Sequence, residues 1–177
     1  PPSLLVAFEL PWDGAGSGDT PAPFAAVSSP GATWSGAALF VDDGSGELRP
    51  LGPSGRTRSV VGTAETALPP AGPLLIDRAS SVTVVLADPA LDLADATGRQ
   101  LASGANRALL GGEIIQFGKA TPLGGARWRL ETLLRGRGGT ESAITAHDVG
   151  DAFVLLDARP VALDPGQVGA IPGAEIV

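Results

Sequence analysis

The residues that could carry chemistry are few, and most are carboxylates. His147 is the only histidine in the chain, which excludes a multi-histidine metal site and leaves few parts for acid–base catalysis. It stands beside Asp148, but neighbours on a turn do not supply the face-to-face geometry of an oriented triad. A structural hydrogen bond or plain exposure is the expectation for His147. No Gly-x-Ser-x-Gly elbow occurs, so the usual strand-to-helix nucleophile is missing. There is no cysteine, hence no disulfide framework and no thiolate metal site. Asp92 with Asp95, or Glu113 with Glu131, would be the carboxylate pairs for glycoside hydrolysis, which needs two such groups at a defined separation. With 19 acids in the chain, such pairings arise by chance. Asp42, Asp43 and Glu47 surround a hairpin turn, and their spacing departs from the calcium-binding EF-hand loop. Gly14, Gly16 and Gly18 are spaced like a phosphate-binding run, but no lysine follows and no strand-to-helix context surrounds them. They read as a loop.

The stretch LLRGRGGTE, residues 133 to 141, is more specific. Gly136, Gly138 and Gly139 permit positive φ and a sharp change of direction. Arg135 and Arg137 then put two guanidinium groups on that turn, where they could clamp a carboxylate by paired hydrogen bonds. The acceptor can lie within the chain, at Glu113 or Glu141, or on a partner protein; the intrachain bridge is the preferred reading. Thr140 can cap a short helix over TESAITAH. Arg135→Ala is therefore expected to cost stability or assembly, not turnover. Among the three tryptophans, Trp12 and Trp34 could offer stacking surfaces to a glycan, whereas Trp128 is expected in the core. No cofactor is implied, and the chain reads as a non-enzyme.

The elements that must position these residues are strands. The chain has 25 glycines and 16 prolines among 177 residues, a composition that interrupts long helices and suits short strands joined by turns. Residues 4–10 read as a strand stopped by Pro11. FAAVSS and AALFVD read as strands on either side of Trp34, with a turn at residues 43–46 into GELRPL. RTRSVVGTAETAL supplies a short extended segment, and SVTVVLA a β-branched strand. Residues 90–100 could form one helical turn or a loop. The clearest pattern is a long hairpin over residues 112–134. In ARWRLETLL, Trp128, Leu130 and Thr132 alternate with Arg127, Arg129 and Glu131, as in a half-buried strand. On the facing strand Ile115 and Phe117 share one side, and the turn is expected at residues 121–125. DAFVLLDA returns as a strand. The expected fold is all-β, an antiparallel sandwich or distorted barrel with at most one or two short helices. Pro69 to Pro73 offers an internal boundary, but without a repeat or linker one domain over 1–177 is the simpler reading, with 158–177 as an extended exit segment.

Charge narrows the partners. The formal net charge is −7, which disfavours tracking along nucleic-acid phosphates. Five basic residues lie between Lys119 and Arg137 against one acid, Glu131, but no aromatic series accompanies them to stack on bases. No apolar run approaches the roughly 18 residues that span a bilayer, and the opening PPSLLVAFEL lacks the basic region of a signal peptide. Starting at Pro1-Pro2 without any methionine, the chain is expected to be a fragment of a larger polypeptide or a processed product.

One family resemblance rests on Gly104-Ala105-Asn106, on Gly112 through Phe117 with Ala120, on Leu130 through LLRGRGGTE, and on His147, Gly150 and FVLLD. The series resembles the C-terminal region of the large baseplate hub protein of gene transfer agents and siphophage-like tails, sometimes described as a host-specificity protein. The match is strong over residues 81–157 and looser over 4–77. It implies a fibre-binding type of module with no catalytic residues to carry over. It further implies tail fibre or other baseplate proteins as partners and a place at the tail tip, after assembly in the cytoplasm of the producing bacterium. A carbohydrate-binding module touching host surface glycan is the alternative.

Overall fold

A computed structural model of the protein describes residues 3–11, 22–31, 33–42, 44–144, 147–168 and 175–176. The elements in order are β1 (Leu4–Glu9), β2 (Pro23–Ser28), β3 (Ala38–Asp42), β4 (Leu48–Pro53), β5 (Val61–Ala64), β6 (Asp77–Leu86), α1 (Gly98–Ala102), β7 (Arg107–Leu110), β8 (Glu113–Gly124), β9 (Arg127–Leu134), β10 (Ala152–Leu155), β11 (Val161–Ala162), α2 (Pro165–Val168) and β12 (Glu175–Ile176). The fold is all-β and its strand pairs are antiparallel. Its contacts group into two units, residues 1–59 with 158–177, and residues 60–157.

The first unit holds two three-stranded sheets, in the orders β1-β2-β11 and β12-β3-β4. Ala25, Val27, Leu39 and Leu163 form its core, with Leu5, Trp34 and Leu51 packed against them. Residues 158–177, read as an exit, here supply β11 and β12, which pair with β2 and β3.

The second unit is a closed six-stranded barrel in the order β10-β5-β6-β9-β8-β7. Closure leaves none of its strands with an open edge. Alternation in β6 sends Val82, Val84 and Leu86 inward to meet Ile115, Phe117, Leu130, Leu133 and Phe153. The β8–β9 turn lies later than the sequence suggests. β8 continues through Pro122 to Gly124, and the chain reverses at Gly125 (φ 60°) and Ala126 (φ 65°). Two successive positive φ values are what a tight hairpin turn requires.

β9 also departs from simple alternation, and the departure creates the site. Trp128 and Leu130 face the core, as the pattern predicts. Continued alternation would place Leu134 inward and Arg135 outward. Instead Leu133 and Arg135 are the fully buried pair. The break falls at Thr132, whose φ is 59°, a rare conformation for a β-branched residue. Opposite it β6 is irregular between Asp77 and Ser81. On the other neighbour, β8 changes face too, from Phe117 to Ala120 in the core. Gly118 makes that possible: a Cβ there would stand 3.1 Å from Thr132 Cγ2. Thr132 thus marks the end of the apolar face it was expected to extend.

Candidate functional site

Glu113 opens β8, directly opposite Leu110 of β7. Its parity with Ile115 and Phe117 points it into the barrel, where it is 0% exposed. Arg135, just past the end of β9 and turned inward by the shift at Thr132, is also 0% exposed. The two meet as a fork: Arg135 Nε donates to Glu113 Oε1 at 2.9 Å and Nη2 to Oε2 at 2.8 Å. The Gly136 amide adds a 2.6 Å bond to Oε1. His147 Nε2 stands 2.6 Å from Oε2. Each carboxylate oxygen therefore has two hydrogen-bond partners, as a buried charge requires.

Gly136 is the residue that lets the backbone turn onto that carboxylate. Its φ is 57°, and an added Cβ would come within 2.9 Å of Glu141 Cα. Only glycine combines that dihedral with that clearance. Arg135 also reaches the linker between β5 and β6, donating from Nη1 to the Pro69 carbonyl at 2.8 Å and standing 3.6 Å from Asp77 Oδ2. His147 faces a second acid, with Nδ1 3.2 Å from Asp151 Oδ2, and the Asp148 amide donates to that same oxygen at 3.2 Å. One cluster thus ties together β8, β9, the β5–β6 linker and the segment that leads into β10.

The electrostatics follow from this packing. Burial alone would raise the Glu113 pKa, but hydrogen bonds from His147, Arg135 and Gly136, with the Arg135 charge, outweigh it and hold the carboxyl below its ordinary value. The bond to Glu113 raises the His147 pKa; burial opposes this, and Asp151 adds to the rise. With a carboxylate at each ring nitrogen, the imidazolium is the favoured form and donates on both sides. At Asp77 burial is likewise outweighed, by Ser80, Ala79 and Arg135, and the pKa is lowered.

The remaining candidates separate clearly. The Thr140 hydroxyl does not cap a helix. It donates to the Arg137 carbonyl and accepts the Ile114 amide, both at 2.9 Å, and short 3-10 turns over Arg137–Gly139 and Glu141–Ala143 replace the expected helix. Gly138 and Gly139 adopt positive φ within this turn. Arg137 and Glu141 are exposed, away from the buried fork. Besides Glu113, the acid that meets His147 is Asp151, four residues on, and not the adjacent Asp148 side chain. Glu113 and Glu131 do not meet: Glu131 pairs across from Lys119, six residues along β8 from Glu113, or roughly 20 Å of strand. The Asp95 carboxylate accepts the Ala120 amide, and Asp42 accepts the Gly44 amide. No group of acids and histidine suited to a metal occurs among the described residues. Trp34 is partly buried against the first unit's core; Trp12 and Asp43 lie outside the described residues, as do Gly14, Gly16 and Gly18.

Sequence reading missed Asp77 and Asp151 as members of the cluster, and Gln116 as a second buried anchor. Gln116 Nε2 donates to the carbonyls of Leu101 and Ala105 at 2.9 and 2.7 Å, tying the α1 segment to β8. The available signal was a polar residue inside the otherwise apolar run from Ile114 to Phe117.

Residues 59–154 match the model of the family described as Rcc01698-like, C-terminal. The chain belongs to that family. The family comes from proteins related to the gene transfer agent of Rhodobacter capsulatus. Its matched region coincides almost residue for residue with the barrel unit, and so contains Glu113, Arg135, His147 and Asp151. No curated protein matches the chain. No helix among the described residues is long and apolar enough to cross a membrane.

Proposed function

We propose that the chain is a non-enzymatic structural module of a phage-like tail tip, binding a tail fibre or neighbouring baseplate proteins after assembly in the cytoplasm of the producing bacterium. The observation that carries this reading is the family match over the barrel. The saturation of the buried Glu113 carboxylate agrees with it. A general acid or base must reach a substrate proton, whereas both Glu113 oxygens are fully engaged with Arg135, Gly136 and His147. Such a cluster holds a shape. The test is a fractionation of particles from a producing strain, followed by pull-down of the tagged chain against the other particle proteins. Co-fractionation and retention of at least one tail protein are expected. A chain absent from purified particles, or one that retains none of their proteins, would overturn the reading.

A further inference from the structure

Residues 65–76 join β5 to β6; Glu65 at the start pairs with Arg127, and residues 66–76 carry no charged side chain. Leu68 turns inward and joins the barrel core. The tip does the opposite: Leu74 is 93% exposed, Leu75 77% and Ile76 38%. Single exposed leucines are ordinary on protein surfaces. Three consecutive ones on a tethered loop call for another account. The tether is Arg135, which holds the Pro69 carbonyl at one stem and stands beside Asp77 at the other. Asp77 Oδ1 in turn accepts the amides of Ala79 and Ser80 at 3.0 and 2.9 Å. Pro69, Pro70 and Pro73 restrict the backbone further. The loop is therefore set with its apolar side chains outward before any partner arrives, which lowers the ordering cost of binding.

We propose that Leu74, Leu75 and Ile76 anchor the barrel in an uncharged apolar pocket on a second protein of the particle. This inference rests on the tail-tip reading and names the chemistry of its contact. Three observations select that occupant. The loop has no charge to satisfy, and the neighbouring Asp77 side chain is turned inward with 6% exposure, so docking buries no unpaired anion. An anionic bilayer is a poor host, because shallow apolar insertion is supported by several adjacent basic residues. Here the adjacent cation is Arg78 on a chain of net charge −7. A second copy is also a poor host. Two tips meeting each other would bury only these three side chains apiece, with no surrounding rim, far short of the roughly 800 Å² per partner of a stable interface. A concave pocket encloses all three, as aliphatic anchors require.

The experiment places the photo-cross-linking residue benzoylphenylalanine at Leu75 in the full-length protein within producing cells, with Arg129 on the outer face of β9 as the control position. Irradiated particles are expected to give one discrete adduct to another particle protein from position 75 and none from position 129. The double variant Leu74→Asp, Leu75→Asp should keep its melting temperature and lose that association by about tenfold or more. An adduct to lipid, to a second copy or to the same polypeptide overturns the proposal, as does no adduct, retention of the double variant at the wild-type level, or a lowered melting temperature. If the wild-type protein is absent from particles, the tail-tip reading fails and the proposal with it. If it is present without the adduct, the proposal fails alone.

Discussion

Glu113 concentrates the risk of the fold in one side chain. A buried ion pair adds little over a well-packed apolar substitute, yet removal of one partner strands the other charge. Glu113→Gln keeps the volume but leaves Arg135 and the His147 imidazolium without their shared carboxylate. We expect a loss of roughly 3–5 kcal/mol in urea unfolding, far more than for an exposed acid such as Glu141. The pH dependence follows from the two opposite shifts. Glu113 has a lowered pKa, so its contribution is present above the ordinary value near 4.5 and is lost as pH falls below that value through the folded pKa. His147 has a raised pKa, so its contribution is complete below about 6.5 and is lost as pH rises through the folded value. Stability should therefore be greatest between these limits. His147→Gln should flatten the alkaline decline, measured as unfolding free energy from pH 5 to 9; an unchanged slope would show that another group controls it.

The decisive element is the β8–β9 hairpin, because a one-residue change of parity reverses every side chain beyond it. The change occurs at Thr132 and Gly118 together, and its products are a buried Leu133 and a buried Arg135. Gly118→Leu should disturb both. Its Cβ would already press on Thr132 at 3.1 Å, and overpacking of this kind costs about 1–3 kcal/mol. A variant that melts like the wild type would mean that β9 can shift without cost. The turn after β9 is fastened separately through Thr140. Thr140→Val keeps the shape but leaves the buried Ile114 amide without its acceptor, a loss of about 1–3 kcal/mol by thermal or urea unfolding. Gly136 and the strand signals were legible in the sequence; the parity break, and with it the burial of Leu133, was not, since it depends on the irregularity of β6 lying opposite.

For the whole molecule, the family match and the barrel unit describe nearly the same residues. The barrel has its own core and closes its own sheet. Residues 60–157 expressed alone are therefore expected to unfold in one cooperative transition, and Glu113→Gln should shift that transition as it does in the full chain. A fragment without a cooperative transition would show that the barrel depends on the remaining residues. The units divide at Ser59 and Asp157, not in the proline-rich stretch at Pro69 to Pro73, because that stretch is a linker within the barrel held by Arg135.

By itself the sequence determined an all-β antiparallel fold, most of its strands and the glycine-dependent turn after β9, and it offered Arg135 and Arg137 as a carboxylate clamp with the acceptor open between Glu113, Glu141 and a partner. These depend on local properties: β-branched alternation, proline stops and the conformational freedom of glycine. Only the tertiary structure decided that the sheet closes into a barrel, that Arg135 faces inward, and that His147 and Asp151 complete the cluster. It also decided that Leu74, Leu75 and Ile76 face solvent. Each of these depends on which strand lies opposite which, over separations of tens of residues, and no local period in the sequence records that.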